Sequence, residues 1–567
     1  MTGFSMMDRR LFLGGMAGMV SGCYTPPDPV ALSHPLDLGV DAHIHLFNGR
    51  DVPAYGFLKQ VVLGGEGTPL PGGVPVNSLM RLLLDILRMG TPSARQELGG
   101  IAPRGRADDQ RSVAMGIDAF RGAGGARTTA RMASPDMSDD DALLLAMIQA
   151  EASGEPLPDL GARAMRRTAP PEAGIDGAAL AALIYEGPAA SAMAAPSAAR
   201  RRAVLSPSSL ISTIQWAGLL TRGCRDLLAE VIRLYGGDGG KRIQIFVASL
   251  VDLEYWLDSR AEDAGWLSPQ DAQIAVMSAI ARERKDTLIL NFAPFCPLRA
   301  VVEGPQTLRR VQGAIARQGF AGVKLYPPMG FRATCNDGIG FGHSRYPTGV
   351  TGAQIDRALD QLYAWCAAEE VPIQAHANDS MAAARGAGAY ASPVYWRRVL
   401  ERYPALRLNL SHAGHFGAAH DIGSVPTVCG IRPERDWLAV IAQMMGAGRQ
   451  VWFDTGYWTE VTLATAERPA AITRLRELAA LSGDPALFAR RILYGSDWTM
   501  IAREPGFNAY LRGMEEFARA LYPDPARFDA MMGGNALDFI LGPGRKQHDR
   551  LGAFFADNVV WRGNFAA

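Results

Sequence analysis

Neither sign of charge is in excess in this sequence: Lys and Arg number 57, and so do Asp and Glu. That balance excludes the broad basic field of a nucleic-acid binder and the acidic tail of a solvating segment. Cysteine is scarce, at six residues, and shows no C-x-x-C spacing, which argues against a cysteine-held zinc site. No repeat of fixed period, collagen pattern or heptad pattern occurs. No apolar run reaches the length of about 20 residues that a membrane-spanning helix needs. What is present is a 567-residue chain, 48% hydrophobic and 20% charged, which can bury a sizeable core. Glycine (62) and proline (36) are abundant and favour a loop-rich enzyme over a helical array. The length fits three or four domains, or one large barrel with insertions.

The first 22 residues read as an export signal. Asp8-Arg9-Arg10-Leu11-Phe12-Leu13 leads into an apolar stretch at residues 11–22, 12 residues long and too short to span a bilayer. Val20-Ser21-Gly22-Cys23 resembles a bacterial lipobox, and the arginine pair resembles a twin-arginine signal, which exports folded protein. The expectation is a lipid at Cys23, a proline-rich tether over 23–38, and a location on the membrane facing the periplasm or the exterior. Export permits a disulfide, and Cys296 with Cys335, which follow neighbouring candidate strands, is the pair expected.

The second half alternates short apolar strands with helical stretches. Candidate strands begin near Gly39, Arg242, Thr287, Ala321, Val371, Leu406, Gln450 and Arg491, and from the second onward the starts lie 34 to 50 residues apart. Between them, Ile355, Leu359, Leu362, Tyr363 and Trp365-Cys366 recur at helical spacing. Repeated strand–helix units with strands buried on both faces imply a parallel sheet, and eight imply a TIM (β/α)8 barrel. A doubly wound open sheet is the alternative. Polar residues gather at strand C-termini all round the set, which favours the barrel. The barrel is assigned to 39–50 and 241–545, with a C-terminal tail at 546–567.

The first gap is different. Residues 51–240 form a large, mainly helical insertion after the first strand. Its early part is irregular and includes a Gly/Arg-rich stretch from 104 to 131. A capping-box pattern, Ser138-x-x-Asp141, precedes a helix, and residues 208–235 read as one long helix closed by Gly236-Gly237. A loop after the first strand opens onto the catalytic face of a barrel, so the insertion is expected to cover the mouth as a lid or to offer a partner surface.

Four of nine histidines stand where a barrel places ligands: His43, His45, His376 and His412. In an extended strand His43 and His45 point the same way, and two imidazoles on one face are half of a zinc site. Asp41 precedes them, Lys324 lies in the fourth strand, and Asp497 ends the eighth. His415 is a rival to His412. His34, His343, His420 and His548 read as surface groups, while Tyr326, Arg332, Trp458 and Trp498 follow strand ends and are candidates to shape a pocket.

Asp41-Ala42-His43-Ile44-His45, Gly322-Val323-Lys324-Leu325-Tyr326-Pro327, Gln374-Ala375-His376, Leu410-Ser411-His412-Ala413-Gly414 and Tyr494-Gly495-Ser496-Asp497-Trp498 together resemble the amidohydrolase superfamily, and most the amidohydrolase-related branch. Gly534-Asn535-Ala536 resembles that branch's closing turn. The insertion is outside the resemblance. The resemblance implies that His43, His45, His376 and Asp497 bind one divalent metal, usually zinc, and that Asp497 also handles the proton of the attacking water. It implies that His412 polarises the substrate or binds a second metal. The fourth-strand string also resembles the binuclear dihydroorotase pattern, in which a carboxylated Lys324 would bridge two metals.

The expected activity is hydrolysis of an amide, ester or lactone carbonyl in a small-molecule substrate, with no nucleic-acid partner. A decarboxylase or hydratase on the same barrel is the first alternative, and it calls for a basic group such as Arg332 in the pocket. A non-catalytic surface binding lipoprotein is the second.

Overall fold

The computed structural model describes residues 39–63, 75–88, 90–100, 139–153, 207–235, 243–258, 265–339, 349–380, 386–414 and 427–565. The export signal, Cys23, the tether, the Gly/Arg-rich stretch, His34, His343, His415 and His420 lie outside these residues. Among the described residues no helix is long and apolar enough to cross a membrane.

Eight strands run parallel in sequence order: β1 (Gly39–Ile44), β2 (Ile243–Ser249), β3 (Leu288–Pro294), β4 (Phe320–Leu325), β5 (Ile373–His376), β6 (Leu408–Ser411), β7 (Val451–Asp454) and β8 (Ile492–Leu493). Each pairs with the next, as where Gln374 stands opposite Asn409. The two ends of the sheet meet. Ile44 bridges to Trp498 in parallel, the Ala42 N–H donates to the Tyr494 carbonyl at 2.9 Å, and the Asp497 N–H donates to the His43 carbonyl at 2.7 Å. The result is a nearly closed TIM-like barrel, so the open-sheet alternative falls. β1, β3, β4, β5, β6, β7 and β8 are buried along their whole length, as helices outside and side chains inside require.

The Gly352–Ala368 helix starts where its chemistry dictates: the Thr351 side chain accepts from the Gln354 N–H, and Gln354 reaches back to the Thr351 N–H. Of its predicted apolar stripe, Ile355, Leu359, Leu362, Tyr363 and Cys366 are buried, while Trp365 is only partly covered. Gly322 in β4 has no room for a side chain, since a Cβ there would lie 2.5 Å from the Phe292 ring and 2.8 Å from the Pro372 carbonyl.

The described insertion is helical, and it shares the core. Helices Val76–Arg88, Asp139–Ser153 and Pro207–Leu219 pack on one another, and the last also packs on the Met500–Arg503 turn that follows β8. Leu79, Leu82, Leu145, Ile148, Leu210 and Trp216 are fully buried in the same apolar cluster as the barrel. The single helix expected over 208–235 is two, Pro207–Leu219 and Cys224–Tyr235. The break has a cause. The Cys224 N–H leaves the helical ladder to donate to Glu97 Oε2 at 2.7 Å, and a Cβ on Gly223 would lie 2.8 Å from that oxygen. The Cys224–Tyr235 helix then packs against β2 and the Gln270–Glu283 helix.

The stretch read as a tail forms two helices, Lys546–Phe554 and Val559–Asn564. Asn558 Nδ2 donates to the Arg284 and Thr287 carbonyls, both at 2.9 Å, and holds this stretch beneath β3.

The five described cysteines are all free thiols, so the expected Cys296–Cys335 bond is a correction. Cys296 Sγ caps the Pro297–Glu303 helix, accepting from the Arg299 N–H at 3.3 Å, and also accepts from Trp256 Nε1 at 3.1 Å. Cys335 lies instead beside Arg398 and Cys429.

Candidate metal centre

Alternation along β1 puts Asp41, His43 and His45 on one face, and all three are buried. His43 and His45 meet with their Nε2 atoms 3.2 Å apart. Asp497 Oδ1 lies 3.6 Å from the first and 3.4 Å from the second. Asp497 sits just past β8 with φ 61°, a left-handed conformation that its side chain does not favour. Two bonds made by its own residue and its neighbour fix it there: its N–H is bound by the His43 carbonyl, and the Ser496 N–H donates to Asp41 Oδ1 at 3.0 Å.

Hydrogen bonding on the far side of each ring decides what these atoms are. His45 Nδ1 lies 2.7 Å from the Ser249 carbonyl, which can only accept, so Nδ1 carries the proton and Nε2 a bare lone pair. His43 Nδ1 lies 3.2 Å from Asp454 Oδ1 with the same consequence. Asp497 Oδ1 is buried without a hydrogen-bond partner. The bare His45 nitrogen and the orphaned Asp497 oxygen converge on the His43 nitrogen, which Lys324 Nζ also reaches at 3.0 Å, a donor set that fits a divalent cation. Burial pushes the pKa of both histidines down, which keeps them neutral and able to ligate. Burial also pushes the Asp497 carboxyl well up, only partly opposed by Lys324, so a cation is what would hold it ionised.

His412, just past β6 with φ 67°, donates from Nδ1 to the Gly456 carbonyl at 2.9 Å and so also presents a bare Nε2. His43, His412 and Asp454 form a second compact group. Asp454 Oδ1 in that group is already saturated by the His43 ring and by the His412 and Gly456 N–H groups, at 3.1 and 3.0 Å. Its other oxygen accepts from Asn409 Nδ2 at 2.8 Å and Gln374 Nε2 at 3.3 Å. Asp454 therefore orients His43, and His43, His45 and Asp497 are the better ligand set.

Lys324 Nζ is 3.0 Å from His43 Nε2 and 3.4 Å from Ser411 Oγ, and burial pulls its pKa down. The His376 ring is 4.6 Å from the His412 ring and 4.3 Å from the Tyr326 ring, and its Nε2 bonds to Ser380 Oγ at 2.8 Å. It stands outside both compact ligand groups. The predicted residues thus all gather at one end of the barrel, with His376 one ring removed from the donors.

Of the other candidates, Trp458 is fully buried, and its Nε1 donates to the His412 carbonyl at 3.0 Å. Arg332 Nη1 donates to the Cys335 carbonyl at 2.8 Å, and its head lies over the Tyr390 and Tyr395 rings. His548 bonds to the Phe565 carbonyl at 2.8 Å, far along the chain from these groups.

Sequence reasoning missed Asp454, Gln374 and Asn409 as the support of His43. A carboxylate closing the seventh strand was the visible signal, since the other chemistry-bearing residues also stand at strand ends. It missed Gly456 and Gly495 as well. A Cβ on the first would lie 2.8 Å from His43 Nδ1, and on the second 2.9 Å from the His43 Cβ, so the ring fits because both are glycine.

A nearly closed eight-stranded barrel whose first and last strands bring buried histidines and an aspartate together defines a metal-dependent enzyme of the amidohydrolase superfamily. A family model described as Amidohydrolase matches residues 257–540, half of the chain, and the chain belongs to that family. No curated protein matches it in sequence.

Solved structures similar to it include an amidohydrolase from Burkholderia multivorans with bound zinc, 15% identical, covering 57% of this chain and 91% of that one at a TM-score of 0.34. A TIM-barrel protein from Bordetella bronchiseptica is 16% identical, covering 58% and 83% at 0.33. A 2,6-dihydroxybenzoate decarboxylase from Rhizobium is 13% identical, covering 56% and 87% at 0.33.

Proposed function

We propose that this protein is a metal-dependent hydrolase that opens an amide, ester or lactone carbonyl of a small molecule with water. The observation that carries the reading is the meeting of His43 Nε2, His45 Nε2 and the unpartnered Asp497 Oδ1. A single divalent cation, zinc by its preference for imidazole and carboxylate donors, would supply Lewis acidity and make water acidic enough to attack near neutral pH.

The chain's own groups do the rest. Ser249 and Asp454 hold the two rings so that their lone pairs face inward. Asp497 takes the proton of the attacking water and returns it to the departing nitrogen or oxygen as the C–N or C–O bond breaks. His412, neutral and with Nε2 bare, accepts a hydrogen bond from the substrate. Arg332, the basic group a substrate carboxylate would need, places Nη1 on the Cys335 carbonyl and its head over two tyrosine rings, with Nε buried and unpartnered; the first two contacts favour hydrolysis over decarboxylation.

On the N-terminal pattern we further propose export and lipidation at Cys23, with the barrel outside the cytoplasm. Metal analysis of the purified chain, joined to a screen of amides, esters, lactones and aromatic carboxylates, tests the activity. One equivalent of zinc with turnover of a carbonyl substrate is expected. Release of CO₂ from a carboxylate with none of the others turned over would replace hydrolysis by decarboxylation.

A further inference from the structure

Cys335 belongs to the loop that follows β4, and Cys429 to the loop that follows β6, both on the side of the barrel where strands end and active sites form. The two side chains are close enough to interact, since Cys429 is among the groups that raise the Cys335 pKa. Arg398, from the Trp396–Arg402 helix, spans them: Nη1 lies 3.8 Å from Cys335 Sγ, and Nη2 donates to the Cys429 carbonyl.

The two residues are held differently. Cys335 is 7% exposed, and its loop is hydrogen-bonded on both sides of it. The neighbouring Asn336 accepts the Arg332 N–H at 2.7 Å and donates from Nδ2 to Asp356 Oδ1 at 2.6 Å. Arg332 in turn donates to the Cys335 carbonyl. Cys429 is exposed at the tip of a two-residue turn, where Val428 and Ile431 exchange backbone hydrogen bonds at 3.2 and 2.7 Å. Cys429 and Gly430 both have positive φ, 49° and 73°, as such a turn requires. A sheltered thiol and an accessible one on a separate loop share one guanidinium and interact with each other, which brings them within range of thiol–disulfide exchange.

We propose that Cys335 and Cys429 form a reversible disulfide that ties the β4 and β6 loops together across the mouth of the barrel. The co-reactant is a disulfide, either a small molecule or a thiol–disulfide oxidoreductase. The exposed Cys429 thiolate attacks one sulfur of that disulfide, expels one thiolate and becomes a mixed disulfide. Cys335 then gives its proton to water, and its sulfur attacks that of Cys429 and expels the second thiolate. Two cysteine thiols are oxidised, one external disulfide is reduced to two thiols, and no other redox partner is needed. Burial and the neighbouring thiol hold the Cys335 pKa above its ordinary value, so Cys335 acts second, and the Arg398 guanidinium favours its thiolate as it forms.

The test uses the purified full chain treated with oxidised glutathione, alkylated with iodoacetamide, and measured by intact mass and peptide mapping. The expected result is loss of two alkylatable thiols, a peptide joining 335 to 429, and full reversal by dithiothreitol. Cys429→Ser should abolish the cross-link, and Arg398→Ala should slow its formation several-fold. Full alkylation of both cysteines after oxidation would overturn the proposal. So would a stable glutathione adduct on Cys429, a Cys429-linked dimer, or an intramolecular bond that persists in Cys429→Ser.

Discussion

Asp454 and His43 are bound side chain to side chain, Oδ1 to Nδ1 at 3.2 Å, across 411 positions of sequence. The carboxylate accepts two further N–H groups on the same oxygen and two side-chain amides on the other. Asparagine offers one acceptor atom where Asp454 offers two, and turns an NH₂ group toward donors. Asp454→Asn is therefore expected to weaken metal binding by about 10–100-fold, since supporting carboxylates have that effect. Competition with a chelator measures it, and unchanged affinity would dissociate Asp454 from the site.

Asp497→Asn removes the proton acceptor while keeping the shape. Turnover on whatever substrate the screen identifies should fall by about 10²–10⁴. Circular dichroism should be unchanged. Near-normal turnover would take Asp497 out of the proton path.

Metal content should rank the remaining residues. His45→Ala deletes a converging lone pair and is expected to empty the site. His376→Ala should lower affinity less, because its Nε2 is bound to Ser380 and must exchange partners to reach an ion. Lys324→Ala should retain one equivalent of metal with reduced activity. Two equivalents in the native protein, dropping when Lys324 is replaced, would mean that Lys324 and His412 hold a second ion.

Glu97 and Asp51 give stability a pH dependence of predictable sign. Burial first, and then Asp51, pushes Glu97 from 4.5 up to about 8, and burial pushes Asp51 from 3.8 up to about 6. The unfolded chain releases these protons near pH 4, whereas the folded chain keeps them longer. Their contribution is complete below about pH 4 and declines as pH rises toward 8. Glu97→Gln should gain on the native protein in urea unfolding between pH 5 and pH 8.5. A gap between the two that does not vary with pH would show that Glu97 is ionised in the fold.

Location is tested by Cys23→Ala, which should abolish covalent lipid, and by replacing Arg9 and Arg10 with lysine, which should block export of folded protein. Lipid still attached to the Cys23→Ala protein would rule out that anchor.

The barrel was legible because its signal is local and repeated. Apolar runs at regular spacing mark the strands, and His43, His45, His412 and Asp497 stand at or just past strand ends, where period-two alternation aims them. The support of the site was not legible in the same way. Ser249, Asp454 and Gly456 act through their far-side contacts with rings that come from other strands, and nothing next to them in sequence announces it. The break at Gly223 was hidden for a similar reason: the residue that takes the Cys224 N–H is Glu97, 127 positions earlier. The pairing of Cys335 with Cys429 depends on two loops folding toward each other, which strand order alone does not reveal.

The seam between β1 and β8 carries a consequence for how the enzyme comes to be. His43 and His45 are made early by the ribosome, and Asp497 only after 451 further residues beyond His45 have been added. The Asp497 N–H must then find the His43 carbonyl before the three donors face one another. With the proposed ligand set, a chain that ends before residue 497 would lack one of the three donors. Retention of the metal would then report that the two ends of the barrel have met.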